Sequence, residues 1–166
     1  MKAKAFIFIS FITLLGCKKS NNLNLVLNGP ITDCPASSTC TYSYYDDANF
    51  VNWVAPVSGN NRVFWYKSVN SSICDATTQV YFKTSLSNDD FEITSSQIAA
   101  GQLAGYSQNC ICCNELLTKP IGGDIKGKKT DANHWLINAS IILGNSDNHP
   151  VDTVVINQTF TLEKLP

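Results

Sequence analysis

His134-Trp135-Leu136-Ile137-Asn138-Ala139-Ser140-Ile141-Ile142-Leu143, followed after a loop by Asp152-Thr153-Val154-Val155-Ile156-Asn157-Gln158-Thr159-Phe160-Thr161-Leu162, decides the fold class. In the first stretch Trp135, Ile137, Ala139, Ile141 and Leu143 share one parity, and Leu136, Asn138, Ser140 and Ile142 share the other. In the second, Val154, Ile156, Phe160 and Leu162 share a face with Gln158, opposite Thr153, Val155, Asn157, Thr159 and Thr161. A period of two with one apolar face marks a half-buried strand, because successive side chains point to opposite sides of the pleat. Gly144 to Pro150 is rich in turn formers, so the two stretches are expected to form an antiparallel hairpin with a long connection.

The same pattern recurs upstream. Strands are expected at Thr39–Tyr45, Asn61–Val69, Gln79–Thr84 and Asp90–Thr94, with a weaker one around Gly123–Lys126, all divided by Asn, Asp, Ser and Gly clusters. Leu23, Leu25 and Leu27 also alternate and suit the start of a first strand. One short helix is expected, with Ser95 or Ser96 capping a turn through Gln97 to Ala100 and Gly101 and Gly105 ending it. Many short strands with few helices predict an all-β chain, an antiparallel β-sandwich with at most one short helix, stabilised by disulfides.

The N-terminus has a different grammar. Lys2 and Lys4 precede the apolar run Ala5 to Leu15, broken only by Ser10 and Thr13, and small Gly16 precedes Cys17. A charged start, a short apolar middle and a small residue at the cut are the parts of a secretory signal. The run is too short for a transmembrane helix, which needs about 20 residues. Leu14-Leu15-Gly16-Cys17 resembles the lipobox of bacterial lipoproteins. That resemblance implies a diacylglycerol on the Cys17 thiol, cleavage before Cys17 and acylation of the new N-terminus. More than one acyl chain gives stable attachment to a bilayer. The expected organisation is a signal peptide over 1–16, a polar tether over 17–30 and the sandwich domain over 31–166. The Cys17-Lys18-Lys19 start and Asn-rich tether resemble envelope lipoproteins of Bacteroidota-type bacteria, and Asp152-Thr153-Val154 is similar to their D-[ST]-aliphatic O-glycosylation site. The acidic cluster that marks surface export in that group does not follow Cys17. By the same resemblance the protein belongs on the periplasmic side of the outer membrane.

Charge narrows the partners. The chain has 12 basic and 13 acidic residues, and the signal removes Lys2 and Lys4. This gives no basic face for nucleic acid and no polybasic attraction to anionic lipid. Lys126, Lys128 and Lys129 cluster, as a solvated loop would.

Of seven cysteines, lipidation takes Cys17 and leaves Cys34, Cys40, Cys74, Cys110, Cys112 and Cys113 as disulfide candidates, an even set suited to an exported chain. On an extended segment Cys110 and Cys112 face one side and Cys113 the other. Adjacent Cys112 and Cys113 therefore point apart and are expected to reach separate partners among Cys34, Cys40 and Cys74. The run is not read as the C-x-x-C of common zinc sites. The alternative is a soft-metal site, Cu(I) or Zn(II), on Cys110, Cys112 and Cys113, completed by His134 or His149. Oxidising conditions favour disulfides, so no resident metal or cofactor is expected.

Aromatic residues concentrate at Tyr42, Tyr44, Tyr45, Phe50 and Trp53 and in Phe64-Trp65-Tyr66. One parity should enter the core. Alternation sends Trp65 to one face and Phe64 with Tyr66 to the other, and the set left outside the core is expected as a stacking platform for sugar rings, with Trp53, Trp65 and Tyr66 as the candidate residues. No G-x-S-x-G, H-E-x-x-H or P-loop is present, and Asp46-Asp47 and Asp89-Asp90 sit in turn-like stretches where Asp bonds the backbone. No catalytic residue is assigned. The expectation is a non-enzymatic, lipid-anchored protein of the cell envelope with a binding or structural role. Its partners are the bilayer, through acylated Cys17, and a glycan or envelope protein. The alternatives are a glycan-binding module or a metal-handling protein, with a hydrolase last.

Overall fold

The structure is a computed structural model that describes residues 29–51, 55–113 and 117–165. Along the chain the elements are β1 (Ser38–Val51), β2 (Ala55–Ser58), β3 (Asn61–Asn70), β4 (Ala76–Thr84), β5 (Phe91–Ile93), α1 (Ser95–Ala99), β6 (Ala104–Asn109), β7 (Lys119–Lys129), β8 (His134–Gly144) and β9 (Pro150–Leu162). Among the described residues the fold is all-β with one short helix. The expected C-terminal hairpin is β8 against β9, antiparallel, with Trp135 opposite Phe160, Ala139 opposite Ile156 and Ile141 opposite Val154. The parity assigned to the core is buried: Trp135, Ile137, Ala139, Ile141 and Leu143 are each at most 1% exposed.

The sandwich is replaced by a single mixed sheet. Among the described residues, nine strands form one sheet in the order β5-β7-β8-β9-β1-β3-β4-β6, with β2 pairing β1 outside this path. The sheet curls into a half-barrel. Its halves join where β1 and β9 run parallel, with Ser43 beside Thr161 and Tyr44 beside Leu162. One face is buried by curvature instead of by a second sheet. Strand twist supplies part of that curvature, and irregularities in register between Tyr45 and Ala48 and between Pro120 and Gly122 bend the strands further. Gly123 adopts φ +115°, and a Cβ there would sit 1.9 Å from the Ser140 carbonyl oxygen. Only glycine fits that approach of β7 to β8.

β2 and β6 were not foreseen. Ala55–Ser58 contains Pro56, and Ala104–Asn109 contains Gly105 and a polar end, so neither shows apolar alternation. The helix forms where expected, but Thr94 is its cap. The Thr94 backbone N–H donates to Gln97 Oε1 at 2.8 Å, and Gly101 follows at φ +73°. Ile98 is the helix's buried residue and plugs the core. The strand proposed at Leu23–Leu27 lies outside the described residues, as do Cys17 and Trp53.

The interior runs lengthwise along the half-barrel. At its centre Phe64 stacks on Phe82 with centroids 5.0 Å apart and meets Trp135 and Phe160 edge-on at 5.7 and 5.8 Å. Such large side chains each contribute about 1.5–3 kcal/mol on burial. One end is closed by Arg62, which is 2% exposed. Its Nε and Nη2 donate to Asp46 Oδ1 and Oδ2 at 2.5 and 2.9 Å, and Nη1 donates to the Ser87 carbonyl at 2.7 Å. The guanidinium lies 4.8 Å from the Trp135 ring centre. This explains Asp46 as a structural counter-ion.

Candidate functional site

The other end of the interior stays open, and strand register explains its chemistry. Across β1, β3, β4 and β6, inward positions align in transverse rows. The deep row is Tyr44, Phe64, Phe82 and Ala104, all buried. One step outward it becomes Tyr42, Tyr66, Val80 and Tyr106, and one further step Cys40, Ser68, Thr78 and Gln108. The interior therefore passes from a fully buried row with one phenol, Tyr44, to a row of three phenols and then to hydroxyls and an amide over two steps. β9 closes the side with Asp152 and Val154, and the chain before β1 adds Asp33. Together they enclose a cleft of about 370 Å³. The mouth of a barrel-like sheet is a common place for small ligands.

The tyrosines are held in place. Tyr42 and Tyr66 stack with centroids 5.1 Å apart, Tyr42 meets Phe160 edge-on at 5.6 Å, and the Tyr106 hydroxyl donates to Gln108 Oε1 at 3.3 Å. Burial, then Tyr66 and the Asp33 carboxylate, push the Tyr42 phenol up to about 12. Burial and Asp152 raise Tyr106 as well. These phenols are neutral at physiological pH and offer hydroxyls that donate and accept, beside carboxylates that only accept.

Asp33 is positioned by an arm clamped to β9. Asn157 Nδ2 donates to the carbonyls of Gly29 and Pro30, both at 2.9 Å, and the Thr32 N–H donates to the Asn157 carbonyl at 2.9 Å. Cys34 then bridges to Cys40, tying the arm to the cleft's outer row.

The aromatic platform read from sequence divides. Tyr66 points inward into the cleft, whereas Trp65 lies on the outer face, where its Nε1 donates to Gln79 Oε1 at 2.9 Å and its ring packs beside Tyr45. Adjacent strand residues cannot share one surface. Trp53 lies outside the described residues. The partners of Tyr66 in the cleft are Tyr42, which belongs to the aromatic run but not to the expected platform, and Tyr106, to which no sequence pattern points. β6 had not been recognised, and only register aligns it with β3.

The remaining disulfides are Cys74–Cys112 and Cys110–Cys113. Pairing is as expected, but Cys113 does not reach a distant partner. Residues 111–113 form a turn, and the Cys113 N–H donates to the Cys110 carbonyl at 3.3 Å, which brings the two side chains together. Their C-x-x-C spacing was the signal, hidden by treating the run as extended. With every cysteine of the run oxidised, it has no thiolate to offer a metal. The histidine ligands considered for such a site lie elsewhere: His134 Nδ1 is 2.8 Å from Asp131 Oδ1, and His149 sits in the β8–β9 loop.

A scan of protein-family models gave no match to this chain, and neither curated proteins nor solved structures showed a match.

Proposed function

We propose that this chain is a non-enzymatic binding protein of the cell envelope, held to a bilayer through acylated Cys17, with the tyrosine-lined cleft as its binding site. The change from apolar to polar chemistry along the inward rows carries the reading. A core built only for stability has no need of Tyr42, Tyr66, Ser68, Thr78, Tyr106 and Gln108 on one continuous inner surface. Carbohydrate suits these walls. Ring faces of tyrosine take the apolar faces of a sugar, and Asp33, Asp152 and Gln108 accept from or donate to its hydroxyls. The aromatic glycan platform is thereby relocated from Trp53 and Trp65 to Tyr42, Tyr66 and Tyr106.

The test is binding of an oligosaccharide array by the soluble domain, followed by titration of any hit. Tyr106→Ala is expected to weaken binding by about tenfold, and Trp65→Ala to leave it unchanged. A loss caused by Trp65→Ala alone refutes the cleft. The anchor is tested separately: Cys17→Ser is expected to abolish incorporation of labelled fatty acid, and continued labelling refutes it.

A further inference from the structure

Cys74, Cys110, Cys112 and Cys113 gather their sulfurs at the tip where the β3–β4 turn meets the end of β6. Two disulfides lie here side by side. Cys110 Sγ is 4.0 Å from Cys112 Sγ, although each is bonded to a different partner. All three sulfurs of the run lie within 4.8 Å of one another. Exposure is unequal: Cys110 is 4% exposed, whereas Ile111 beside it is 93% exposed, Cys112 is exposed and Cys113 is at least partly open to solvent. An external thiolate can reach Cys113, and the sulfur it expels is held next to a second disulfide.

We propose that this cluster is a thiol–disulfide exchange site, entered at Cys113 by a small thiol or by the reactive cysteine of a dithiol protein. The incoming thiolate forms a bond to Cys113 Sγ, the Cys110–Cys113 bond breaks, and the electron pair leaves on Cys110 Sγ. That thiolate attacks Cys112 Sγ, forming Cys110–Cys112 and expelling Cys74 as thiolate. Cys74 then attacks Cys113 Sγ, forming Cys74–Cys113 and releasing the external thiolate unchanged. The net result exchanges the pairing 74–112 and 110–113 for 74–113 and 110–112. Every step conserves the number of disulfides, so no oxidant or reductant is consumed. Exchange rates depend on access and on which sulfur is attacked, and both favour this cluster. Cys34–Cys40, a bridge outside the cluster, is the internal control.

The experiment uses the full chain with Cys17→Ser, which removes the remaining thiol. Reduced glutathione is added below stoichiometry, the mixture is quenched with acid, and pairings are localised by fragmentation mass spectrometry. The expected result is a growing fraction of Cys110–Cys112, formed on the order of tenfold faster than any reaction of Cys34–Cys40. In a second variant, Cys113→Ser, the displaced Cys110 thiol is expected to share the unpaired state with Cys74, so that alkylation labels both. Wild-type pairing that stays fixed while Cys34–Cys40 reacts overturns the proposal. So does labelling of folded Cys113→Ser at Cys110 alone. If Cys113→Ser does not fold, the glutathione experiment decides by itself.

Discussion

Removing the Cys74–Cys112 bridge, by Cys74→Ala with Cys112→Ala, tests what holds the cleft's far wall. The bridge joins residues 38 apart in sequence, linking the β3–β4 turn to the segment after β6. Closing a loop of about 39 residues lowers the entropy of the unfolded chain by about 13 cal/mol/K, or about 4 kcal/mol at 25 °C. Cys34–Cys40 spans a separation of only 6. The same relation gives about 2.4 kcal/mol for its loop of about 7 residues. Both are large against a typical domain stability of about 5–15 kcal/mol. Urea unfolding of the two double-alanine variants and the parent, followed by fluorescence of buried Trp135, measures the difference. The long-loop variant should lose about 1.5 kcal/mol more than the short-loop variant. It should also show the larger rise in denaturant slope, because its unfolded chain expands more. Equal losses, or a larger loss for the short bridge, refute the argument that these bridges act by limiting the unfolded chain.

Asp46→Ala strands the Arg62 guanidinium, which is 2% exposed. It should cost about 2–3 kcal/mol, below the usual value for a fully buried pair because Asp46 is itself partly solvated. Adding Arg62→Met should recover part of the loss in a double-mutant cycle; strict additivity contradicts the pairing. Gly123→Ala should destabilise by about 2–4 kcal/mol in thermal unfolding, since positive φ and contact with Ser140 act together. A change within about 0.5 kcal/mol removes the close-approach explanation. Tyr42 gives a pH signature. Its phenol is raised from the ordinary 10.0 to about 12 in the folded state, so the folded protein binds more protons between those values. Stability is therefore unaffected by this group below pH 10 and falls as pH rises toward about 12. Tyr42→Phe should remove one late component from the phenolate absorbance titration, while Tyr81, which burial raises further, still titrates late; an unchanged titration curve in that variant contradicts the assignment to Tyr42.

Much of the fold was legible because strand alternation is a local consequence of backbone geometry. The faces of His134–Leu143 and Asp152–Leu162, the placement of Phe64 and Tyr66 opposite Trp65, and the short turn of helix at Ile98 all follow from spacing alone. The cleft was not legible. Tyr42, Tyr66 and Tyr106 come from three strands, and Asp33 and Asp152 from opposite ends of the chain. No local pattern states which strands are neighbours or in which register. The cysteine run was misplaced for the related reason that a turn, not a strand, carries it.

Local pattern is enough to say that this chain forms strands with one apolar face, and that Cys34, Cys40, Cys74, Cys110, Cys112 and Cys113 are a pairable set. Tertiary structure alone decided that the strands make one curled sheet and which cysteines meet. It also decided that the polar ends of β1, β3, β4 and β6 lie side by side at an open mouth, with β9 and the chain before β1 alongside. The physical reason is that alternation fixes the side of a strand on which a residue stands, whereas curvature and register fix what stands opposite it.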